Sequence, residues 1–260
     1  MSNTFNLTRF LRYFKKHSID NGKTYLLSTA VLTGIYVIAL FFVVALGTGF
    51  LNIDWQMTVL LTCVLLGGGI FTSLTFADLG DKKKAIPVLT LPVSALEKYL
   101  VNWIYTYVIF LLVALGTFYM VDILAVKISK PSYGHIPARL LDLTSKETPG
   151  IIVLTAFTLF HALGFWGAIF FEKMHFIKTA FVFFVCLIGF NLLTRVLISA
   201  ITSGNVTAEV FFQHASVTDN GNRHYISPTN PINQIGIAIF IAAILILWVS
   251  AYFRLKEKQV

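Results

Sequence analysis

The chain has 260 residues, of which 57% are hydrophobic and 12% charged, with a formal net charge of +8. Soluble domains carry about 45–50% apolar and about 25% charged residues, and a mean hydropathy of +0.78 exceeds what one water-exposed core can bury. An ordinary soluble protein, a disordered chain, a long coiled coil and a disulfide scaffold are excluded: apolar residues dominate, no long heptad run occurs, and the two cysteines, Cys63 and Cys186, fall in apolar runs as reduced packing residues.

The first element in the chain is amphipathic. Leu7, Phe10, Leu11 and Phe14 recur at helical spacing while Arg9, Arg12, Lys15 and Lys16 occupy the other positions of the same turns. This predicts an interfacial helix over about residues 5–20, its apolar side in the headgroup boundary and its basic side on anionic lipid, at about 1 kcal/mol per nearby charge. A solvated basic tail that only enforces topology is the alternative.

Six apolar stretches follow, near Tyr25 to Gly47, Gln56 to Ala77, Tyr99 to Val121, Gly150 to Phe171, Thr179 to Ile201 and Ile232 to Phe253. A hydrocarbon core about 30 Å thick takes roughly 20 residues of helix, and only a helix satisfies its own backbone in lipid without closing a barrel. The expected class is therefore an all-α integral membrane protein forming one transmembrane domain. The first stretch is too long for a cleaved signal peptide and is expected to stay as an anchor.

Basic residues set the expected orientation. Fourteen lie on the side of the N-terminus, at Arg9, Arg12, Lys15, Lys16 and Lys23, at Lys82, Lys83, Lys84 and Lys98, at Lys173 and Lys178, and at Arg254, Lys256 and Lys258. The opposite side has five, Lys127, Lys130, Arg139, Lys146 and Arg223. Both termini are expected in the cytoplasm. The external segments at Asp122 to Pro149 and Thr202 to Pro231 leave no room for a separate soluble domain. Val210, Phe211 and Phe212 in the second either dip toward the membrane or belong to an ordinary folded loop.

Between the second and third stretches, Lys82, Lys83 and Lys84 precede a short segment bounded by Pro87 and Pro92 that presents Ile86, Val88, Leu89 and Leu91. Apolar residues beside a lysine run on the cytoplasmic side call for a partner surface, a structural turn being the alternative. Ser94 and Glu97 have the spacing of a capping box, so the third helix is expected to begin there.

Ionisable residues inside the stretches are few. His161 sits near the middle of the fourth, either as a neutral side chain bonded to a neighbouring helix or as a haem or pathway ligand. Arg195, in the run Asn191 to Arg195, either snorkels to the external interface or meets an anionic substrate group. No Asp or Glu falls within the six, with Asp78, Asp122 and Glu172 placed just beyond span ends in water or headgroups. That counts against an ion-coupled carrier. Gly67, Gly68 and Gly69 lack the Lys and Ser or Thr of a phosphate loop, and neither HExxH nor GxSxG occurs, so nothing argues for an enzyme or a bound metal in this chain.

In layout the chain resembles the membrane subunit of type-2 ATP-binding-cassette (ABC) exporters. The resemblance rests on six spans in about 260 residues, the basic amphipathic elbow before the first, and the entry Leu91-Pro92-Val93-Ser94 followed by Glu97-Lys98. It implies a permease in a bacterial plasma (inner) membrane that pairs with a second permease, the same or different, and with two cytosolic ATPases that bind ATP and Mg. By it, Lys82 to Lys98 match the segment that docks on the ATPase. Membrane lipid is a further expected partner and nucleic acid is not. The rival readings are an ATPase-independent carrier or channel, and a non-transporting anchor or haem-binding subunit using His161.

Overall fold

The computed structural model of the chain describes residues 5–46, 49–75, 92–131, 137–145, 150–171, 175–202, 205–208, 215–219, 222–226 and 230–258. Among the described residues six helices dominate: α1 (Leu7–Leu46), α2 (Ile53–Thr75), α3 (Ala95–Ile128), α4 (Gly150–Phe170), α5 (His175–Thr202) and α6 (Asn230–Glu257). Five are long and apolar enough to cross a membrane, and α5 adds the shorter apolar stretch Ile177–Leu193. Large apolar side chains such as Leu26, Phe41, Phe181, Ile188 and Ile246 are exposed on the outside of this bundle, where hydrocarbon rather than water is their solvent. The chain is an integral membrane protein.

The expected elbow is not set apart from the first span. Residues 7–46 form one continuous helix of 40 residues, about 60 Å long at 1.5 Å per residue. That exceeds the roughly 40–45 Å of a bilayer with its headgroups. No proline interrupts α1, and its inward face continues at helical spacing through Phe10, Tyr13, Phe14, His17, Asn21 and Tyr25, so the helix has no reason to break at Gly22. Phe10 and Phe14 pack inward on Tyr13, Val101 and Tyr105, while Leu7 and Leu11 stay exposed. The expected apolar face is thus split between protein and surroundings.

α1 and α3 run parallel and stay in step from end to end. Arg9 meets Glu97, Ser18 meets Tyr105, Tyr36 packs edge-on against Phe118, and the Lys130 N–H donates to the Gly49 carbonyl. Inside α3, Ile104–Ile109 form a π-helical turn. Such a turn admits an extra residue and rotates the faces that follow it. Tyr105 is thereby set against α1, and Thr106 and Tyr107 against α4 and α6.

The main core joins α1 to α4 through Leu32, Tyr36, Leu60, Phe110, Phe118 and Phe157. Glycine permits the closest approaches. A Cβ at Gly68 would collide with Phe157 and Phe110, and one at Gly167 would fall on the Thr179 side chain, so α2, α3 and α4 meet at the first and α4 and α5 at the second.

At the far end, Gly49 takes the left-handed φ of 80° that glycine permits without strain. Beside it residues 139–141 fold back over the bundle. Gln56 Nε2 donates to the Arg139 carbonyl at 2.9 Å, the Tyr119 hydroxyl to the Leu141 carbonyl at 3.1 Å, and the Leu141 N–H to Asp122 Oδ2 at 3.3 Å. Asp122 is fully buried within α3, which corrects its expected place in water or headgroups. Between α5 and α6 the described residues form an antiparallel meander, β1 (Asn205–Ala208), β2 (Ala215–Asp219) and β3 (Asn222–Ile226). Asn205 stands opposite Thr218, and Ala215 opposite Ile226. The segment between α5 and α6 thus departs from a purely helical design. Val210, Phe211 and Phe212 lie outside the described residues.

Candidate functional site

The entry to α3 is built from its own capping box. Ser94, in extended conformation, accepts from the Glu97 N–H, and Glu97 Oε2 accepts from the Ser94 N–H at 3.0 Å. The same carboxylate reaches a second helix. Glu97 Oε1 accepts from the Asn6 N–H at 2.8 Å and from an Arg9 Nη at 2.7 Å, and Oε2 accepts from Arg9 Nε at 2.7 Å. Asn6 caps α1 in turn, its Oδ1 accepting from the Thr8 and Arg9 N–H groups. Glu97 has no exposed surface, yet four donors surround it, which makes a buried carboxylate tenable. One side chain therefore clasps the starts of α1 and α3.

Beside this clasp, Arg9, Arg12, Tyr13 and Lys16 from α1 and Pro92 and Val93 before α3 line a groove of about 530 Å³. Arg12 and Lys16 have no ion-pair partner among the described residues. Pro92 is exposed, and Lys98 is buried at 3% exposure. Lys82, Lys83, Lys84, Ile86, Pro87, Leu89 and Leu91 lie outside the described residues. Of the basic residues assigned to the membrane interface, Arg9 is turned into the clasp, while Arg12, Lys15 and Lys16 are exposed.

A second polar centre lies one π-turn further along α3. The Trp248 indole, which can only donate, gives its N–H to His161 Nδ1 at 3.3 Å. The ring proton therefore sits on Nε2, 2.9 Å from Thr106 Oγ1, and Thr106 in turn donates to the Asn102 carbonyl at 2.8 Å. Trp103, Tyr107, Phe157, Phe165 and Trp248 surround the ring. The Tyr99 hydroxyl bonds the Trp248 carbonyl at 2.9 Å. His161 is thus a neutral tie between α3, α4 and α6. Both ring nitrogens are occupied, so ligation of haem iron would require breaking one of these bonds.

Asn191 donates to the Leu187 carbonyl of its own helix at 2.8 Å. Arg195 lies in α5, with its side chain outside the described ones. Among the described residues no group of three His, Cys, Asp or Glu is placed to hold a metal. The reach of Glu97 to α1 and the enclosure of Asp122 carried no local sequence signal, since each depends on a segment distant in the chain.

Comparison with protein-family models, with curated proteins and with solved structures finds no match to this chain.

Proposed function

We propose that the chain is the membrane-spanning permease subunit of an ATP-driven ABC exporter, working with a second permease and coupled to separate cytosolic ATPases through the segment between α2 and α3. The observation that carries this reading is the Glu97 clasp. The segment with Lys82 to Lys84 and the two prolines leads directly into Ser94, and Glu97 ties that point to the first turn of α1. A push on the segment therefore moves the ends of two parallel membrane helices together. Closure of ATP-bound partners would bias inward against outward geometry by the difference in free energy between their two states. Glu97 and Lys98 face inward, so contact with an ATPase falls to residues before Ser94. Purification in mild detergent with mass-spectrometric identification of the accompanying cytosolic protein tests the reading: a nucleotide-hydrolysing subunit is expected.

A second reading, an ion-coupled carrier, draws support from Asp122. It is a buried acid within α3, and its Oδ1 has no hydrogen-bond partner among the described residues. Transport by the purified chain alone, abolished in Asp122→Asn, would favour it over the exporter.

A further inference from the structure

A crevice of about 320 Å³ opens between α1, α2 and α3, near the low end of the range for ligand sites. Leu32, Ile70, Phe110 and Val113 line it, and among the described residues its polar side chains are Tyr25, Ser28, Thr29 and Tyr105. Leu27, Val31, Ile35 and Ile70 on its wall are exposed, so in a bilayer it opens to hydrocarbon.

The hydroxyls at its polar end can be assigned one by one. Asn21 Nδ2 donates to the His17 carbonyl at 3.1 Å and lies 3.5 Å from His17 Nδ1, so that nitrogen can only accept. The ring proton is then on Nε2 and points at the Tyr25 hydroxyl, 2.5 Å away. Tyr105 donates to Ser18, whose own proton goes to the Phe14 carbonyl. Thr29 donates to the Tyr25 carbonyl. Tyr25 accepts from His17 and keeps its O–H proton, which meets no acceptor among the described residues. Ser28, one turn on, makes no side-chain hydrogen bond among them either.

Depth completes the pattern. Lys23 is the last charge in α1, Tyr25 follows it, and no charge occurs again before the end of the helix. Tyr25 therefore marks the hydrocarbon boundary, where the ester carbonyls of glycerolipids lie. Lys23, two residues or about 3 Å earlier in the helix, stands at the level of headgroup phosphates.

We infer that this crevice is a binding site for a glycerophospholipid, which lays one acyl chain along Leu32, Phe110 and Val113 and accepts hydrogen bonds from Tyr25 and Ser28 at its ester oxygens. The inference stands apart from the exporter reading and holds whether or not an ATPase binds. The test is photolabelling of the purified chain in nanodiscs of phosphatidylethanolamine and phosphatidylglycerol, using phosphatidylglycerol with a diazirine in its acyl chain. Labelling of Leu27 to Ile35 and Ile109 to Val113 is expected to exceed that of the exposed α5 face at Phe181, Val185 and Ile188. Tyr25→Phe, which keeps the ring stacked on Tyr105, should lower crevice labelling about fivefold, as loss of a hydrogen bond worth about 1 kcal/mol implies. Ile70→Trp should fill the opening and lower it as well, with α5 unchanged. Equal labelling of crevice and α5, or labelling indifferent to both variants, overturns the inference. So does a Leu27→Cys chain, in a Cys63→Ser, Cys186→Ser background, that forms a disulfide dimer and loses the label, since a second copy then fills the crevice.

Discussion

Arg9 donates two hydrogen bonds, each 2.7 Å long, to a Glu97 carboxylate with no exposed surface. The two residues are 88 apart in the chain, and their contact makes one rigid unit of two helix starts. Glu97→Ala leaves the Asn6 and Ser94 N–H groups and the Arg9 guanidinium without their acceptor, at a cost of about 1–3 kcal/mol for the buried donors. The thermal midpoint in detergent should fall, and Arg9→Ala added to Glu97→Ala should cost less than the sum of the two separately. Ser94→Ala removes only one cap bond and should cost about 1 kcal/mol.

His161 is held as a neutral ring by Trp248 and Thr106. His161→Phe preserves the aromatic surroundings but strands the Trp248 N–H, so stability should drop by about 1–3 kcal/mol and tryptophan emission should change. Addition of haemin to the purified wild-type chain is expected to produce no Soret band that His161→Phe removes.

Gly167 leaves the space that Thr179 fills. Gly167→Ala should cost about 1–3 kcal/mol through overpacking, and Thr179→Gly should recover part of that loss. Full additivity in thermal stability would contradict the close approach of α4 and α5.

The far-end strap gives a test of both packing and sidedness. Arg139, whose carbonyl is held by Gln56, and Leu141, whose N–H is held by Asp122, should resist trypsin in the wild type. Gln56→Leu combined with Asp122→Leu should speed cleavage after Arg139. In intact spheroplasts externally added trypsin should make this cut, because the basic residues concentrate on the opposite side.

The spans were legible because lipid imposes one local rule, some twenty apolar residues per helix, which five of the described helices meet while α5 adds a shorter apolar stretch. The start of α3 was legible because Ser94 and Glu97 signal a cap within four residues. The continuity of α1 was not legible locally, because the pattern of Leu7, Phe10, Leu11 and Phe14 fits a membrane surface as well as a neighbouring helix. What decides is the continuation of that face through His17 and Tyr25 onto α3, a partner the local pattern does not name. Asp122 was placed outside because the apolar run weakens there, whereas α3 continues to Ile128 and Leu141 returns to cover it. The tie at His161 was within reach of sequence reasoning, but its bonds to Thr106 and Trp248 join positions 55 and 87 residues away.

The most direct test of the exporter reading is ATPase co-purification with the full chain in mild detergent, comparing wild type with Lys83→Glu combined with Lys84→Glu. The wild-type chain should bring down a cytosolic ATPase, and the double variant should release it while keeping the wild-type elution profile and thermal midpoint. Undiminished ATPase retention by the double variant, or transport by the wild-type chain with no ATPase present, would contradict the account.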